Sequence, residues 1–453
     1  MAYIHKFIQG GDYYTVDVNS GCVHIVDELI YDILDEEKMA TKEEIIERLK
    51  AKYQIDELEE AIDEVYELID EGSLYSEDLY EKIAMDSENS TSYIKALCLN
   101  IAHDCNLRCS YCFADEGEYR GAKGLMSAET GKKAIDFVIE KSGPRKHIEV
   151  DLFGGEPLMA FDNVKEIVEY AKSMEKKHNK TIRFTMTTNA TLLNDEIMDY
   201  LDKNMGNIVL SIDGRKDVND NVRVRADGTG SYESIIPKIK KMVEIRDKSK
   251  QYYARGTFTR KNTDFFMDIM HLADEGFDEI SIEPVVLPES DPLSIREEDL
   301  PVIFEQYDKL YEEMLKRHKE GNEFKFYHFN IDLQGGPCVY KRISGCGAGH
   351  EYVAITPQGD IYPCHQFVGN EKFKMGTLEN GELNQEIARE FKNAHIYNKP
   401  ECRKCWARFY CSGGCQANNY NFNGDMHIPY SIGCKMQKKR IECSIALKSN
   451  IME

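Results

Sequence analysis

Residues 96–112 read ALCLNIAHDCNLRCSYC. The short apolar run at its start predicts a β-strand over 96–102. Directly after it, Cys105, Cys109 and Cys112 stand at the spacing C-x3-C-x2-C, with Tyr111 just before the third cysteine. Three thiolates on one short loop can hold three irons of a four-iron cluster, which leaves the fourth iron open to a small molecule. A zinc knuckle completed by a His such as His103 is the alternative. The position of the loop, behind the first strand of a β/α array, argues against zinc.

That array is read outward from the loop. Further strands are predicted over 148–153, 182–188, 207–213, 253–259 and 279–285. Amphipathic stretches lie between them near 127–142, 162–179, 194–203, 231–248 and 264–276. Strand and helix in strict alternation predict an α/β fold with a parallel sheet and helices outside. Six units make a partial (β/α)6 TIM-like barrel, open where eight would close, with chemistry at the C-terminal ends of the strands.

The C-x3-C-x2-C loop resembles the signature of the radical SAM superfamily. In that family the open iron chelates the amino and carboxylate groups of S-adenosylmethionine (SAM). The resemblance extends to three strand ends. Gly154-Gly155-Glu156-Pro157 resembles the segment that supports the SAM amino group, and glycine there lets the backbone approach a ligand closely. Thr187-Thr188-Asn189 ends the third strand. Ser211-Ile212-Asp213-Gly214 resembles the ribose-contacting motif, with Ser211 as the donor. Arg223 is a candidate for the SAM carboxylate or for structural pairing. The resemblance thus implies a SAM site drawn from Tyr111, Gly154, Gly155, Glu156, Thr188, Asn189, Ser211, Asp213 and Arg223.

A second set of cysteines follows: Cys338, Cys346, Cys364, then Cys402, Cys405, Cys411 and Cys415 at C-x2-C-x5-C-x3-C, then Cys434. This pattern resembles the SPASM domain, which carries two auxiliary [4Fe–4S] clusters. By that resemblance Cys346, Cys364 and Cys415 hold one cluster, and Cys402, Cys405, Cys411 and Cys434 hold the other. Cys338 is either a fourth ligand of the first or a bystander. Structural zinc is the competing use of these cysteines. Cys22, Cys98 and Cys443 are expected to hold no metal; Cys98 reads as a small buried side chain within a strand.

Before the array, residues 13–18 and 22–26 flank the turn Asn19-Ser20-Gly21 and predict a β-hairpin. Thr41 and Glu44 form a capping-box pattern, and Leu58, Ile62, Val65 and Ile69 recur at helical spacing before Gly72. This α+β module over 1–85 resembles the winged-helix-like element that captures the leaders of ribosomally made peptides, in which an extended peptide adds to an exposed strand edge. Residues 76–92 read as a linker, 93–290 as the radical SAM core, 291–335 as a bridge, and 336–453 as the SPASM domain, loops around metal with a hairpin at 352–363.

The formal net charge is −23, which disfavours nucleic acid as a partner. No apolar run approaches a spanning helix and the start has no apolar signal core, so a soluble cytoplasmic protein is expected. Fourteen cysteines in a chain of this kind point to metal rather than disulfides.

The three-part order resembles peptide maturases that use SAM and three [4Fe–4S] clusters. With IHKF at 4–7 and DVNSGCVHIVD at 17–27, the chain looks most like the SCIFF maturases, which form thioethers of the sactionine type between a Cys sulfur and a backbone carbon. This implies a precursor peptide bound through its leader, and an electron donor such as a ferredoxin or flavodoxin. Sulfatase maturases place an acidic residue after the cysteine matching Cys364. Here it is His365, a packing residue or a proton carrier. Other peptide modifications (C–C or C–O crosslinks, epimerisation) and a zinc-stapled peptide-binding adaptor are the alternatives.

Overall fold

The computed structural model describes residues 3–115, 117–119, 121, 123–334 and 339–452. Cys338 lies outside them.

The N-terminal module is a three-stranded antiparallel sheet of β1 (Ile4–Gln9), β2 (Asp12–Asp17) and β3 (Val23–Val26), with β2 in the middle. Helices Glu28–Ile33, Lys42–Leu49 and Ile55–Asp70 follow. The hairpin expected from the sequence is β2–β3. Sequence reading did not place β1, because Ile4, Phe7 and Ile8 do not alternate. The capping box forms as expected: Thr41 Oγ1 accepts from the Glu44 N–H at 3.3 Å, and Glu44 Oε2 accepts from the Thr41 N–H at 2.9 Å. Ile4, Ile33, Ile45, Leu58, Ile62 and Val65 make the module's own core. Phe7, Tyr14, Val16 and Val18 belong instead to the main core, so the sheet is buried on both faces. His5 stacks on Trp406 with ring centres 3.8 Å apart, which ties β1 to the C-terminal region.

The main sheet starts from β4 (Ala96–His103). After it come β5 (Leu107–Cys109), β6 (Gly124–Leu125), β7 (His147–Gly154), β8 (Thr181–Thr188), β9 (Asn207–Ser211), β10 (Arg223–Arg225), β11 (Gln251–Phe258), β12 (Glu279–Pro284) and β13 (Lys325–Phe326). Strands β4, β7, β8, β9, β11 and β12 lie side by side in that order, all parallel. Helices Ala128–Lys141, Phe161–His178, Asp195–Asn204, Tyr232–Ile245 and Phe265–Asp274 connect them. Alternate residues of β8 are buried under the helices, while Thr181 and Arg183 on its other face are exposed and Thr185 and Thr187 half-buried. Ser127 and Asn194 cap their helices by accepting from the N–H groups of Thr130 at 3.0 Å and Ile197 at 2.9 Å.

Three features depart from the sequence reading. Strand β14 (Tyr352–Ile355) pairs parallel with β4, and β15 (Asp360–Tyr362) and β16 (Gly376–Thr377) follow antiparallel, so the C-terminal region extends the barrel sheet. That region is also more than loops, for it ends in the long helix Ser431–Met452, which packs along Leu300–Glu320 of the bridge. The expected linker contains the helix Glu81–Glu88, whose Ala84 is buried against Ile343, Ile396, Tyr397 and Phe409. Its polar sequence hid it, since only Ile83, Ala84 and Met85 are apolar. Among the described residues no helix is long and apolar enough to cross a membrane.

Candidate active site and cysteine clusters

Strand β4 delivers the chain into the loop that carries Cys105, Cys109 and Cys112. Part of that loop is β5, which pairs antiparallel with β10, so that Cys109 faces Arg223 across the ladder. Behind the loop, the Gly155 N–H donates to the Ala102 carbonyl at 2.7 Å and the Glu156 N–H to the Asp104 carbonyl at 3.0 Å. A Cβ on Gly155 would stand 2.0 Å from the Asp104 oxygen. Only glycine permits this approach of two backbones.

Glu156 is fully buried and binds the scaffold rather than the open cavity. It accepts from the Leu158 N–H at 3.1 Å, Thr188 Oγ1 at 2.8 Å and the Asn189 N–H at 2.7 Å, and so fixes the end of β7 to the end of β8. Asn189 Nδ2 donates to Asn106 at 2.8 Å and lies 3.6 Å from Cys105 Sγ. Asp213 is likewise buried. It accepts from Tyr111 Oη at 2.7 Å and from the Thr257 N–H at 3.0 Å. Arg223 Nη1 donates to Tyr111 Oη at 2.7 Å and stands 3.7 Å from Asp213. Tyr111, Asp213 and Arg223 therefore lock the cysteine loop to β9 and β10.

A cavity of about 280 Å³ opens at the C-terminal ends of the strands. The three cysteines line it together with Tyr111, Gly154, Gly155, Thr188, Asn189, Ser211 and Arg223. Of the expected SAM-site residues only Glu156 and Asp213 stand behind its wall. A larger groove, about 790 Å³, lies between residues 88–94 and helix Gln385–Asn393, and no cysteine lines it.

The donor set fits a metal cluster with SAM. Burial pushes the Cys105 thiol up to about 11 and Cys109 to about 12, so these side chains become good ligands only when a metal draws off their protons. Arg223 Nε is buried without a hydrogen-bond partner, at a site where a ligand carboxylate would satisfy it. His103 does not complete a zinc site with these cysteines. It is buried beside Asn100 at 3.3 Å and stacked on Tyr119 at 4.8 Å, and burial lowers its pKa to about 4.

The C-terminal cysteines lie in two groups that meet at a cavity of about 300 Å³ lined by Cys411, Cys415 and Cys434. Burial first, and then the neighbouring Cys415 and Cys346, push the Cys364 thiol up. Cys402, Cys405, Cys411 and Cys434 surround a second cavity of about 30 Å³. Burial raises Cys402 to about 12 and Cys434 to about 11. Between the sets sits Lys399, fully buried, with Nζ donating to the Gly413 carbonyl at 2.9 Å. Cys402, Cys411, Cys415 and Cys346 are its anionic neighbours when ionised. A buried cation with a carbonyl as its hydrogen-bond partner suits a site whose cysteines are thiolates. Cys98 is buried in the sheet, Cys443 is buried 3.7 Å from Gln9 Oε1, and Cys22 is half-buried after its turn.

Sequence reading missed Arg255 and Thr257 on β11 and Glu283 on β12, which line the same cavity. The available signal was their alternation with Ala254, Gly256, Phe258 and Ile282, which points the polar set into the barrel. Arg255 Nη2 donates to Glu283 Oε2 at 2.7 Å. Burial opposes ionisation of Glu283, but the Arg255 guanidinium beside it, with Arg440 farther off, outweighs burial and holds the carboxyl below its usual range. His365 also reaches the cavity. It packs against Phe113 and Phe153, its Nδ1 is 3.3 Å from Tyr352 Oη, and burial, with Arg255 next, lowers its pKa to about 4.

Residues 99–253 match the family model of the radical SAM superfamily, and residues 346–406 match SPASM, an iron–sulfur cluster-binding domain. The first match implies SAM and a [4Fe–4S] cluster, and the second suggests auxiliary clusters. Cys411, Cys415 and Cys434 lie beyond the matched SPASM segment. Among curated proteins it is similar to a cysteine-type anaerobic sulfatase-maturating enzyme of Clostridium novyi. The two are 26% identical over 70% of this chain and 86% of that one. It is also similar to the radical SAM cyclopropyl synthase TigE of Paramaledivibacter caminithermalis, at 24% over 82% and 78%. Among solved structures, Streptococcus suis SuiB bound to S-adenosylmethionine shares the fold over 94% of this chain and 97% of its own. Its TM-score is 0.54 at 17% identity.

Proposed function

We propose that the protein matures a ribosomally made, Cys-rich peptide by forming an intramolecular thioether between a Cys sulfur and a backbone carbon. One observation carries this reading. The cavity that Cys105, Cys109 and Cys112 line is also lined by His365, Gln366 and Asn418 of the C-terminal region. Asn418, Pro284 and Val286 also line a neighbouring cavity that reaches Cys415. A substrate in the first cavity would therefore lie between two cysteine sets. The relatives support a peptide substrate: they include the Mycolicibacterium smegmatis mycofactocin maturase, and SuiB has been solved with its precursor peptide SuiA.

Cys105, Cys109 and Cys112 would hold the radical SAM cluster. Cys346, Cys364 and Cys415, and Cys402, Cys405, Cys411 and Cys434, would hold two auxiliary clusters. Bound SAM and a reduced cluster supply a carbon radical able to remove a substrate hydrogen atom. Arg223 and Ser211 orient the cofactor, the first through its free Nε. Tyr111 and Asp213 hold Arg223 in place. Phe113, Phe153, Val285 and Val286 make the apolar part of the wall and limit water around the reacting atoms. Among the described residues β3 pairs with β2 alone, so the N-terminal module offers it as an edge, and a leader peptide would add there as a fourth strand. A ferredoxin or flavodoxin would supply electrons.

The test is anaerobic incubation of the cluster-loaded protein with SAM, dithionite and a small Cys-rich peptide encoded beside its gene. Thioether formation lowers the peptide's mass by two hydrogens and blocks one thiol. An unchanged mass with inverted stereochemistry, or a new C–C bond with all thiols free, would replace the thioether reading.

A further inference from the structure

The wall of the cavity also holds a charged pair that the cofactor reading leaves unused. Arg255 lies between Ser211 and Ser281 on neighbouring strands, and Glu283 is beside Thr257, so both side chains project from one end of the barrel into one space. They remain 42% and 36% exposed inside it, which leaves atoms free for a ligand. Only Arg255 Nη2 and Glu283 Oε2 are joined. The guanidinium carries further N–H donors. Glu283 Oε1 has His328 Nε2 at 3.7 Å, too far for a hydrogen bond.

We propose that the Arg255–Glu283 pair recognises the backbone of one extended residue of the peptide substrate, Arg255 donating to its carbonyl oxygen and Glu283 accepting its N–H. The inference rests on the reading of this cavity as the site of peptide modification. A donor and an acceptor fixed side by side match the N–H and C=O of a single extended residue, which face the same way, as in a hydrogen-bonded strand pair. The pair is neutral overall, so it suits a dipolar amide better than a carboxylate or phosphate. It binds backbone, so it would accept different side chains at the reacting residue while fixing the position of its carbon.

The probe is N-acetylalanine N′-methylamide, observed by saturation-transfer NMR on cluster-loaded protein with SAM present. The N-methylated analogue, which lacks the alanine N–H, serves as comparison. We expect the wild type to bind the first and to bind the second about ten- to a hundred-fold more weakly. R255M and E283M, which remove the donor and the acceptor, should lose the first probe while keeping iron content and SAM affinity. R255K and E283D keep the charges and the fold but move the polar atoms, so they should weaken it too. Undiminished amide binding in these variants, or none in the wild type, overturns the proposal. So does a parallel loss of SAM affinity, which would assign the pair to the cofactor. A wild type that holds iron but binds no SAM would instead overturn the radical SAM reading itself.

Discussion

Cys109 and Arg223 face each other across the two-stranded ladder of β5 and β10, and the Arg223 guanidinium reaches on to Tyr111, two residues past that cysteine. The cysteine loop is therefore a clamped structure. Its geometry depends on Tyr111 and Asp213 as much as on the cysteines.

Tyr111→Phe removes the hydroxyl that links Asp213 and Arg223, and leaves both buried charges short of a partner. We expect a loss of about 1–3 kcal/mol in stability and weaker retention of the first cluster, read from anaerobic urea unfolding and iron content.

Gly155→Ala places a Cβ 2.0 Å from the Asp104 carbonyl oxygen, a backbone atom that can yield only if the loop moves. The variant should fold, hold about four fewer irons per chain, and bind SAM poorly. Full iron content would show that the Gly-Gly approach is dispensable.

Lys399→Met removes the buried cation between the two C-terminal cysteine sets. Negative clusters lose a compensating charge, so their reduction potentials should move to more negative values, measured by redox titration with EPR detection. Unchanged potentials would mean that Lys399 serves only the Gly413 carbonyl.

His328 is held neutral, its pKa lowered to about 3 by burial first and then by Arg440 and Arg255, with Glu283 opposing. The unfolded chain takes up this proton near pH 6.5 and the folded one does not, so stability is lost as pH falls below about 6.5. Between pH 7.5 and 5.5 the anaerobic urea midpoint should fall less in His328→Asn than in the wild type. Equal slopes would remove His328 from the acid response.

The parts of the fold legible in sequence are those with local periodicity. All six barrel strands lie within about two residues of where the apolar runs place them, and the capping box at Thr41 forms as read. The joins between regions were not legible. The pairing of β14 with β4 links residues 352–355 to 96–99, and no local pattern encodes such a contact. Helix Glu81–Glu88 is held by a few apolar contacts to residues far along the chain, and its composition resembles a linker. In the site, cysteine spacing announced itself, and Cys105, Cys109 and Cys112 line one cavity. Glu156 and Asp213 were visible as motif residues, but their inward orientation was not. Arg255 and Glu283 escaped notice because a charged residue in a short strand reads as solvent-facing until the barrel places it inside.

The most direct measurement is iron and acid-labile sulfide in anaerobically purified protein, compared between wild type and the variant with Cys105, Cys109 and Cys112 all replaced by Ala. Three four-iron clusters give about twelve irons per chain, falling to about eight in the variant, with SAM cleavage by dithionite-reduced protein in the first and none in the second. Zinc in place of iron, or SAM cleavage that survives loss of the three cysteines, would contradict the account.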